Sequence, residues 1–170
     1  MIQKKICMLG SFAVGKTSLV ARYVHSTFSE KYLTTIGVKI DRKEVSIDDE
    51  SVNLMLWDIH GEDEFQKVRA SYLRGTAGYF LVIDGTRPET VDTALKLHEL
   101  AVSAVGERPF LVLLNKCDLE DQWAIDMERI AELEAKGWST RKTSAKDSNN
   151  VEESFRELTS MILAADSAAS

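Results

Sequence analysis

One segment of the chain has the residue types and the spacing of a phosphate-binding loop. Residues 10–17 read Gly-Ser-Phe-Ala-Val-Gly-Lys-Thr and match G-x-x-x-x-G-K-[ST] between a predicted strand and a predicted helix. The glycines let backbone N–H groups face phosphate oxygens, and the helix N-terminus adds a favourable dipole. Lys16 can reach β- and γ-phosphates, and the Thr17 hydroxyl can coordinate Mg²⁺. The alternative is an ordinary glycine-rich turn between a strand and a helix. The residues assigned to phosphate contacts are Ala13, Val14, Gly15, Lys16, Thr17 and Ser18.

A second candidate segment, Asp58-Ile59-His60-Gly61, follows a strand predicted to end at Trp57. A carboxylate at the tip of a buried strand beside a phosphate loop can hold Mg²⁺, and we expect Asp58 to do so through water. Gly61, three residues on, can offer its backbone N–H to a γ-phosphate. Aspartates after strands are commonly turn-formers, so this pattern alone is weak evidence.

Two polar segments near the C-terminal half have the composition of a base-binding site. The first, Asn115-Lys116-Cys117-Asp118, follows an apolar run, and the Asp118 carboxylate can accept from N1–H and the 2-amino group of guanine. Adenine presents an acceptor and no 2-amino group, a mismatch that can discriminate by about 10⁴–10⁵. The alternative for this tetrapeptide is a polar turn. The second, Thr143-Ser144-Ala145-Lys146, can direct the Ala145 N–H at guanine O6. The residues assigned to the base are Asn115, Lys116, Asp118, Ser144, Ala145 and Lys146.

These segments need an alternating arrangement of strands and helices to bring them together. The apolar pattern predicts strands at residues 6–9, 38–47, 52–57, 78–84, 110–114 and 138–141. Helical spacing predicts helices at residues 15–25, 89–105, 123–136 and 151–163. The continuous apolar runs at 78–84 and 110–114 are typical of strands buried on both faces of a parallel sheet. The alternation predicts one α/β domain over residues 1–165, followed by a short flexible tail at 166–170.

The sequence also predicts two local features of this arrangement, a β-bulge and a further helix. Residues 38–47 and 52–57 are predicted to form a hairpin, and the alternation changes phase between Ile40 and Val45, which indicates a β-bulge. In the acidic stretch Glu62-Asp63-Glu64, Asp63 and Glu64 are assigned to the N-terminus of another helix predicted to begin there, because acidic side chains favour that position.

Composition excludes several classes of protein. The chain has 170 residues and a net charge of −6 without a basic run, so we expect no nucleic-acid partner. No apolar stretch reaches membrane length. Cys7 and Cys117 lack metal-spaced partners and are expected to be reduced thiols of a cytoplasmic protein rather than a disulfide. His25 and His98 are expected to be partly exposed residues rather than ligands.

The four motifs, in this order and over nearly the whole chain, resemble the Ras superfamily of small GTPases, most closely the Rab branch. The resemblance implies a P-loop NTPase fold with a six-stranded mixed sheet, one strand antiparallel, and five helices. It places Phe28 against guanine, Tyr32 and Thr35 in the first switch, and Thr35 as a second threonine on Mg²⁺. It also implies GTP or GDP as the bound nucleotide and a monomer that contacts effectors, exchange factors and activating proteins through its switches. The residues to which it gives catalytic roles are Lys16, Gly61 and Glu62.

Three positions depart from the family pattern. Glu62 occupies the position of the glutamine that orients the attacking water, His60 replaces the usual alanine, and Phe12 occupies a usually small position of the phosphate loop. They predict GTP hydrolysis that is slow or atypical. The alternative is a GTP-binding scaffold with negligible hydrolysis that acts through protein contacts. A P-loop ATPase or kinase is a third interpretation, which Asp118 disfavours. The last six residues contain no cysteine, so no lipid anchor is expected in this chain.

Overall fold

A computed structural model describes residues 1–29, 37–63 and 66–169 of the chain. Its strands are β1 Ile2–Gly10, β2 Val38–Ile47, β3 Glu50–Ile59, β4 Gly78–Asp84, β5 Phe110–Asn115 and β6 Thr140–Lys142. Its α-helices are α1 Lys16–His25, α2 Glu89–Val105, α3 Met127–Ala135 and α4 Val151–Ala169. Two short 3₁₀ segments span Ala70–Leu73 and Glu120–Gln122.

The six strands form one sheet in the order β2-β3-β1-β4-β5-β6. Only the edge pair β2–β3 is antiparallel among these strands, and the other neighbours are parallel. This confirms the predicted six-stranded mixed sheet with one antiparallel strand. The carboxyl ends of the parallel strands consequently meet at one edge of the sheet, and the loops that carry the polar motifs all leave from that edge.

Both faces of the sheet are covered, and each face has its own hydrophobic core. On one face, Leu19 of α1 and Phe155 of α4 pack with Phe80 and other buried residues. On the other face, Val91 of α2 and Leu133 of α3 belong to a second buried cluster. All seven residues of β4 are buried, as its continuous apolar run predicts for a strand between two helical layers. None of the helices in the described part of the chain is both long and apolar enough to span a bilayer.

The predicted β-bulge in the hairpin is wrong. Residues of β2 pair one-to-one with β3 from Val38 opposite Ile59 to Ile47 opposite Glu50, without an inserted residue. The phase of the apolar pattern changes because β2 is an edge strand with apolar side chains on both faces. Ile40 lies on the face opposite to Ile47 and stays 45% exposed.

The helix count also differs from the prediction, since the described residues contain four α-helices rather than five. No helix begins at Glu62 or Asp63, and Glu64 lies outside the described residues. The backbone of Glu62 instead pairs with the phosphate loop, and among the residues described after it the first helical turn is the 3₁₀ segment from Ala70.

Two helix boundaries move for identifiable reasons. Helix α3 begins at Met127, four residues later than predicted, because Asp126 caps it by accepting a hydrogen bond from the Arg129 N–H at 2.8 Å. Helix α4 continues to Ala169, so residues 166–169 are helical where a tail was expected.

Candidate nucleotide-binding site

The loop between β1 and α1 turns sharply through two residues with positive φ. Ala13 has φ 68° and Gly15 has φ 102°, and Val14 between them is fully buried. A side chain at position 15 would place its Cβ only 2.3 Å from Nδ2 of Asn115, so this position requires glycine for space as well as for conformation. The predicted context of strand, glycine-rich loop and helix is therefore the one observed, with Ser18 in the first turn of α1.

Lys16 is buried within this loop. Its side chain is only 5% exposed, and Nζ donates a hydrogen bond to the carbonyl oxygen of Ser11 at 3.2 Å. Burial lowers the pKa of Lys16 to about 8, while the nearby negative charge of Asp58 acts in the opposite direction. A buried ammonium group of this kind is stabilised by an anion, and a phosphate group in the loop is an anion of suitable charge.

The two predicted metal ligands that the structure describes lie together. Asp58, near the end of β3, is 1% exposed, and its Oδ2 accepts a hydrogen bond from Oγ1 of Thr17 at 2.6 Å. A hydroxyl and a carboxylate are the hard oxygen donors that Mg²⁺ selects, and here they converge beside a buried lysine. This donor set fits Mg²⁺. The third expected ligand, Thr35, and its neighbour Tyr32 lie outside the described residues.

The segments expected to bind the base are linked to one another and to the phosphate loop. Asn115 donates from Nδ2 to the Val14 carbonyl at 2.9 Å and accepts from the Thr143 hydroxyl at 3.1 Å. Asp118 Oδ1 accepts from the Ser144 hydroxyl at 2.8 Å. One carboxylate oxygen of Asp118 is thereby oriented, and the two predicted segments form a single site rather than two independent turns.

Arg22, a residue that the sequence analysis did not identify, fastens the second segment to helix α1. Its guanidinium donates to the Ala145 carbonyl at 2.7 Å and to the Lys146 carbonyl at 2.9 Å. Ala145 is buried, and Phe28, which is expected against the base, is exposed. Nothing in the spacing of the sequence identifies Arg22, because its partners are backbone oxygens more than a hundred residues away.

Lys116 connects the base-binding segment to both the phosphate loop and strand β4. Its Nζ donates to the Ala13 carbonyl at 3.0 Å and lies 2.9 Å from Oδ2 of Asp84. Asp84 is fully buried, and its Oδ1 accepts hydrogen bonds from the N–H and hydroxyl of Thr86. The sequence analysis did not identify Asp84 either, although an aspartate at the end of a fully apolar run was a usable signal.

The residues expected near a γ-phosphate pack closely against the phosphate loop. A side chain on Gly61 would place its Cβ 2.3 Å from Cα of Phe12, so only glycine fits there. The next residue, Glu62, donates its N–H to the Gly10 carbonyl and accepts at its own carbonyl from the Phe12 N–H, both at 3.0 Å. These two bonds join the segment at Glu62 to the phosphate loop in a short parallel bridge at Ser11.

The side chains at the three unusual positions have different surroundings. Glu62 Oε1 accepts from the Val68 N–H at 3.2 Å, so the carboxylate is engaged by its own loop. His60 is buried, with Nδ1 at 3.4 Å from the Gly61 carbonyl and its ring edge-on to Tyr72. The Phe12 side chain is 39% exposed. The imidazole and the carboxylate therefore have separate partners in the structure.

The remaining candidate residues take no part in this site. Cys7 and Cys117 are free thiols. Burial raises the pKa of Cys7 to about 11, which keeps it protonated and unreactive at neutral pH. His98 is half-buried, and its Nδ1 shares a 2.8 Å hydrogen bond with the Tyr79 hydroxyl. The exposed His25 lies 3.7 Å from Asp41, and neither histidine belongs to a metal-binding cluster of the described residues.

Comparison with known proteins agrees with this geometry. Residues 5–164 match the sequence family described as the Ras family. The chain is 36% identical over 160 residues to Ras-related protein RABA4b of Arabidopsis thaliana, covering 93% of this chain and 71% of that protein. It is 32% identical to Ras-related protein Rab-7b of Mus musculus, covering 95% and 83% of the two chains. It is 34% identical to GTP-binding protein YPT1 of Saccharomyces cerevisiae, covering 89% and 74%.

Proposed function

This chain belongs to the Ras family of small GTPases, and from that premise we propose which of its residues bind and hydrolyse GTP. The family membership, with its Rab-like relatives, makes the chain a small monomeric GTPase with a P-loop NTPase fold. Members of the family switch between GTP- and GDP-bound states and contact effectors, exchange factors and activating proteins. The observation that carries the residue assignment is that the segments of Lys16, Asp58 and Asp118 meet at one edge of the sheet. Thr17 of the phosphate loop bonds to Asp58, and Asn115 and Lys116, which precede Asp118, bond to carbonyl groups of that loop.

The phosphate groups are bound by the loop from Ala13 to Ser18. The positive φ of Ala13 and Gly15 curls the backbone so that successive N–H groups share one concave side, which suits an anion. Lys16 supplies the full positive charge, and its burial means that this charge is poorly solvated before the nucleotide arrives. The phosphate oxygens then replace the solvation that the ammonium group lost on folding.

The metal is held by Thr17 and Asp58, with Thr35 as the proposed third residue. The hydroxyl of Thr17 would hold the metal and Asp58 would act through water; the two side chains are already joined by a 2.6 Å hydrogen bond between their oxygens. When bound, Mg²⁺ neutralises charge on the β- and γ-phosphates. Within the chain, the role of Asp58 is to orient the Thr17 hydroxyl and to balance the charge of Lys16.

The base is read by Asp118, with Ala145 and Phe28 as its neighbours. Asp118 accepts from Ser144 through one oxygen, which leaves the carboxylate fixed in direction while it presents its acceptors to N1–H and the 2-amino group. The position of this carboxylate relative to the phosphate loop is set by the neighbouring residues Asn115 and Lys116 and by the segment Ser144–Lys146. Adenine has no 2-amino group and presents an acceptor where guanine has N1–H, so it does not complement the carboxylate, and guanine is the preferred base.

Hydrolysis is proposed to be slow or atypical because of Glu62, His60 and Phe12. A carboxylate close to a triphosphate meets like charge, which opposes its placement next to the attacking water. In the structure the Glu62 carboxylate accepts a hydrogen bond from the Val68 N–H. Lys16 and Gly61 remain in place to stabilise charge on the transferring group, so the catalysis that remains is attributed to them.

The alternative function is a GTP-binding scaffold with negligible hydrolysis that acts through protein contacts. The hydrogen bond from the Val68 N–H to Glu62 favours this alternative, because it engages one carboxylate oxygen of the residue at the water-orienting position. A third class, a P-loop ATPase or kinase, is opposed by Asp118. Free reduced thiols at Cys7 and Cys117 support a cytoplasmic location, which we also propose.

Single-turnover hydrolysis by the purified chain tests these proposals. The protein is loaded with γ-labelled GTP, freed of excess nucleotide, and supplied with Mg²⁺ while bound nucleotide and released phosphate are counted separately. We expect tight GTP retention, slow phosphate release, and faster release in Glu62→Gln, whose amide carries no charge. If wild type and Glu62→Gln both retain GTP without releasing phosphate, the result supports the alternative of a GTP-binding scaffold. Protection by ATP equal to that by GTP contradicts the assignment of Asp118.

A further inference from the structure

Arg87 contacts the backbone of the phosphate loop from a distant part of the chain. It lies in the turn between β4 and α2, and its Nη1 donates to the Phe12 carbonyl oxygen at 2.8 Å across 75 positions of sequence. The same nitrogen is 3.8 Å from Oδ2 of the buried Asp84, and Nε is 3.3 Å from Glu89. The guanidinium is therefore held by two acidic side chains while it binds a loop carbonyl.

Lys116 makes the equivalent contact at the next residue. Its Nζ donates to the Ala13 carbonyl at 3.0 Å and lies 2.9 Å from the same Asp84 oxygen. Two cations thus hold two successive carbonyl groups of the phosphate loop, and one buried carboxylate attracts both cations. Asp84 is itself fixed through its other oxygen, which accepts at 2.8 Å from the Thr86 N–H and at 2.7 Å from the Thr86 hydroxyl.

Holding a carbonyl also fixes the direction of the N–H in the same peptide. A trans peptide is planar and carries its C=O and N–H on opposite sides, and the described residues contain no cis peptide. When Arg87 holds the Phe12 carbonyl on one side of the loop, the Ala13 N–H must face the other side. Lys116 has the same effect on the Val14 N–H through the Ala13 carbonyl.

The conformation of Ala13 makes such external support necessary. Its φ of 68° lies in the left-handed region, which is unfavourable for a residue with a Cβ and persists only where the surroundings enforce it. The peptides on both sides of Ala13 are the ones held by Arg87 and Lys116. Without the guanidinium, the Phe12–Ala13 peptide has one restraint fewer and can rotate toward a less strained conformation.

We propose that Arg87 is a positioning residue for nucleotide binding, which orients the Ala13 N–H toward the phosphate groups by holding the Phe12 carbonyl. This inference rests on the proposed function of the phosphate loop. Arg87 acts on the loop and not on the nucleotide, so its loss weakens the hold on GDP and GTP alike. A charge-assisted hydrogen bond at a half-exposed position predicts nucleotide release about 3- to 10-fold faster without it.

The test compares release of a fluorescent GDP and of a fluorescent non-hydrolysable GTP analogue from wild type and four variants. Arg87→Met keeps most of the side-chain length, Arg87→Ala removes it, and Arg87→Lys keeps the charge and a donor. Arg129→Ala is the matched control, because Arg129 is equally exposed at 36% and its ion pairs with Asp92 and Glu132 lie outside the site. We expect faster release in Arg87→Met and Arg87→Ala, recovery to within about twofold of wild type in Arg87→Lys, and no change in Arg129→Ala.

Thermal unfolding of the nucleotide-free proteins separates positioning from general destabilisation. We expect Arg87→Met and Arg129→Ala to unfold at similar temperatures when nucleotide-free, while only Arg87→Met gains less stability on adding GDP. Release from Arg87→Met at the wild-type rate overturns the inference and leaves the proposed function intact. Equal release from Arg87→Lys and Arg87→Met also overturns it, because charge and donor then contribute nothing. A wild-type protein that fails to retain GDP overturns the proposed function itself.

Discussion

Replacing Lys16 by methionine should make the nucleotide-free protein more stable. Burial lowers the pKa of Lys16 from 10.5 to about 8, because the folded protein solvates the ammonium group less well than water does. At about 1.4 kcal/mol per pH unit, this difference corresponds to a cost of about 3 kcal/mol for carrying the charge in the folded state. Methionine removes that cost. It also removes the hydrogen bond to the Ser11 carbonyl, which contributes about 1 kcal/mol.

The net gain expected for Lys16→Met at neutral pH is therefore about 2 kcal/mol, or a melting temperature about 4–8 °C higher at this chain length. GDP with Mg²⁺ should reverse the order of stability. At a concentration one hundred times its dissociation constant, a ligand adds about 2.7 kcal/mol to the wild type, whereas the variant lacks the charge that binds the phosphates. Lys96→Met, a substitution of an exposed lysine on α2, is the control and should change neither measurement appreciably.

The difference in stability between the wild type and Lys16→Met should depend on pH in a defined direction. Below about pH 8, Lys16 is charged in both the folded and the unfolded protein, so the folded state bears the full cost. Between about pH 8 and 10.5 the folded protein releases this proton first, so its stability rises with pH relative to Lys16→Met. Denaturant titrations at several pH values measure the difference between the two proteins. A difference that stays constant from pH 7 to 10.5, or a variant less stable than wild type at pH 7, would refute the argument.

Four further outcomes are expected. Asp118→Asn should lose GTP in favour of xanthosine triphosphate, whose C2 carbonyl accepts where guanine donates, and competition binding that still prefers GTP would remove Asp118 from the site. Thr17→Asn should weaken Mg²⁺-dependent binding of GTP more than of GDP, because the γ-phosphate adds charge that the metal offsets; titrations showing equal losses would speak against this role. If His60 assists Glu62, His60→Ala should change the single-turnover hydrolysis rate of the wild type but not that of Glu62→Ala, whereas an equal change in both backgrounds excludes the coupling. Phe12→Gly should leave nucleotide affinity nearly unchanged and alter the hydrolysis rate or its response to an activating protein, since a benzyl group beside the γ-phosphate blocks an entering arginine. If wild type and Phe12→Gly hydrolyse GTP at the same rate, both alone and with that protein, Phe12 packs outward instead.

The sheet was largely predictable because burial on both faces leaves a continuous apolar signal. Strand β4 has the predicted bounds, Gly78–Asp84, for that reason. The β-bulge predicted in the edge strand β2 was wrong because Ile40 is apolar and yet 45% exposed, so the apolar pattern there does not mark a single buried face. Local hydrophobicity indicates which segments are strands, while the position of a strand in the sheet determines which of its two faces are buried and which are exposed.

The candidate site divides in a similar way. Lys16, Asp58 and Asp118 were identified because each lies in a short segment of recognisable spacing. Arg22 and Arg87 were not identified, because both hold backbone carbonyl groups, and a carbonyl has no residue type that a sequence pattern can detect. The absence of a helix at Glu62 has the same origin, since its backbone bonds to the phosphate loop replace those that a helix would supply.

The pairing of Glu62 with the phosphate loop offers a way to follow this protein without an attached fluorescent probe. Two backbone hydrogen bonds join the segments: the Glu62 N–H donates to the Gly10 carbonyl, and the Phe12 N–H donates to the Glu62 carbonyl. Both bonds break if the two segments separate, so the two amides should exchange hydrogen for deuterium with a common opening step. Their exchange rates report the separation of the segments directly, and the amide of Leu19, bonded within the first turn of α1, provides an internal reference.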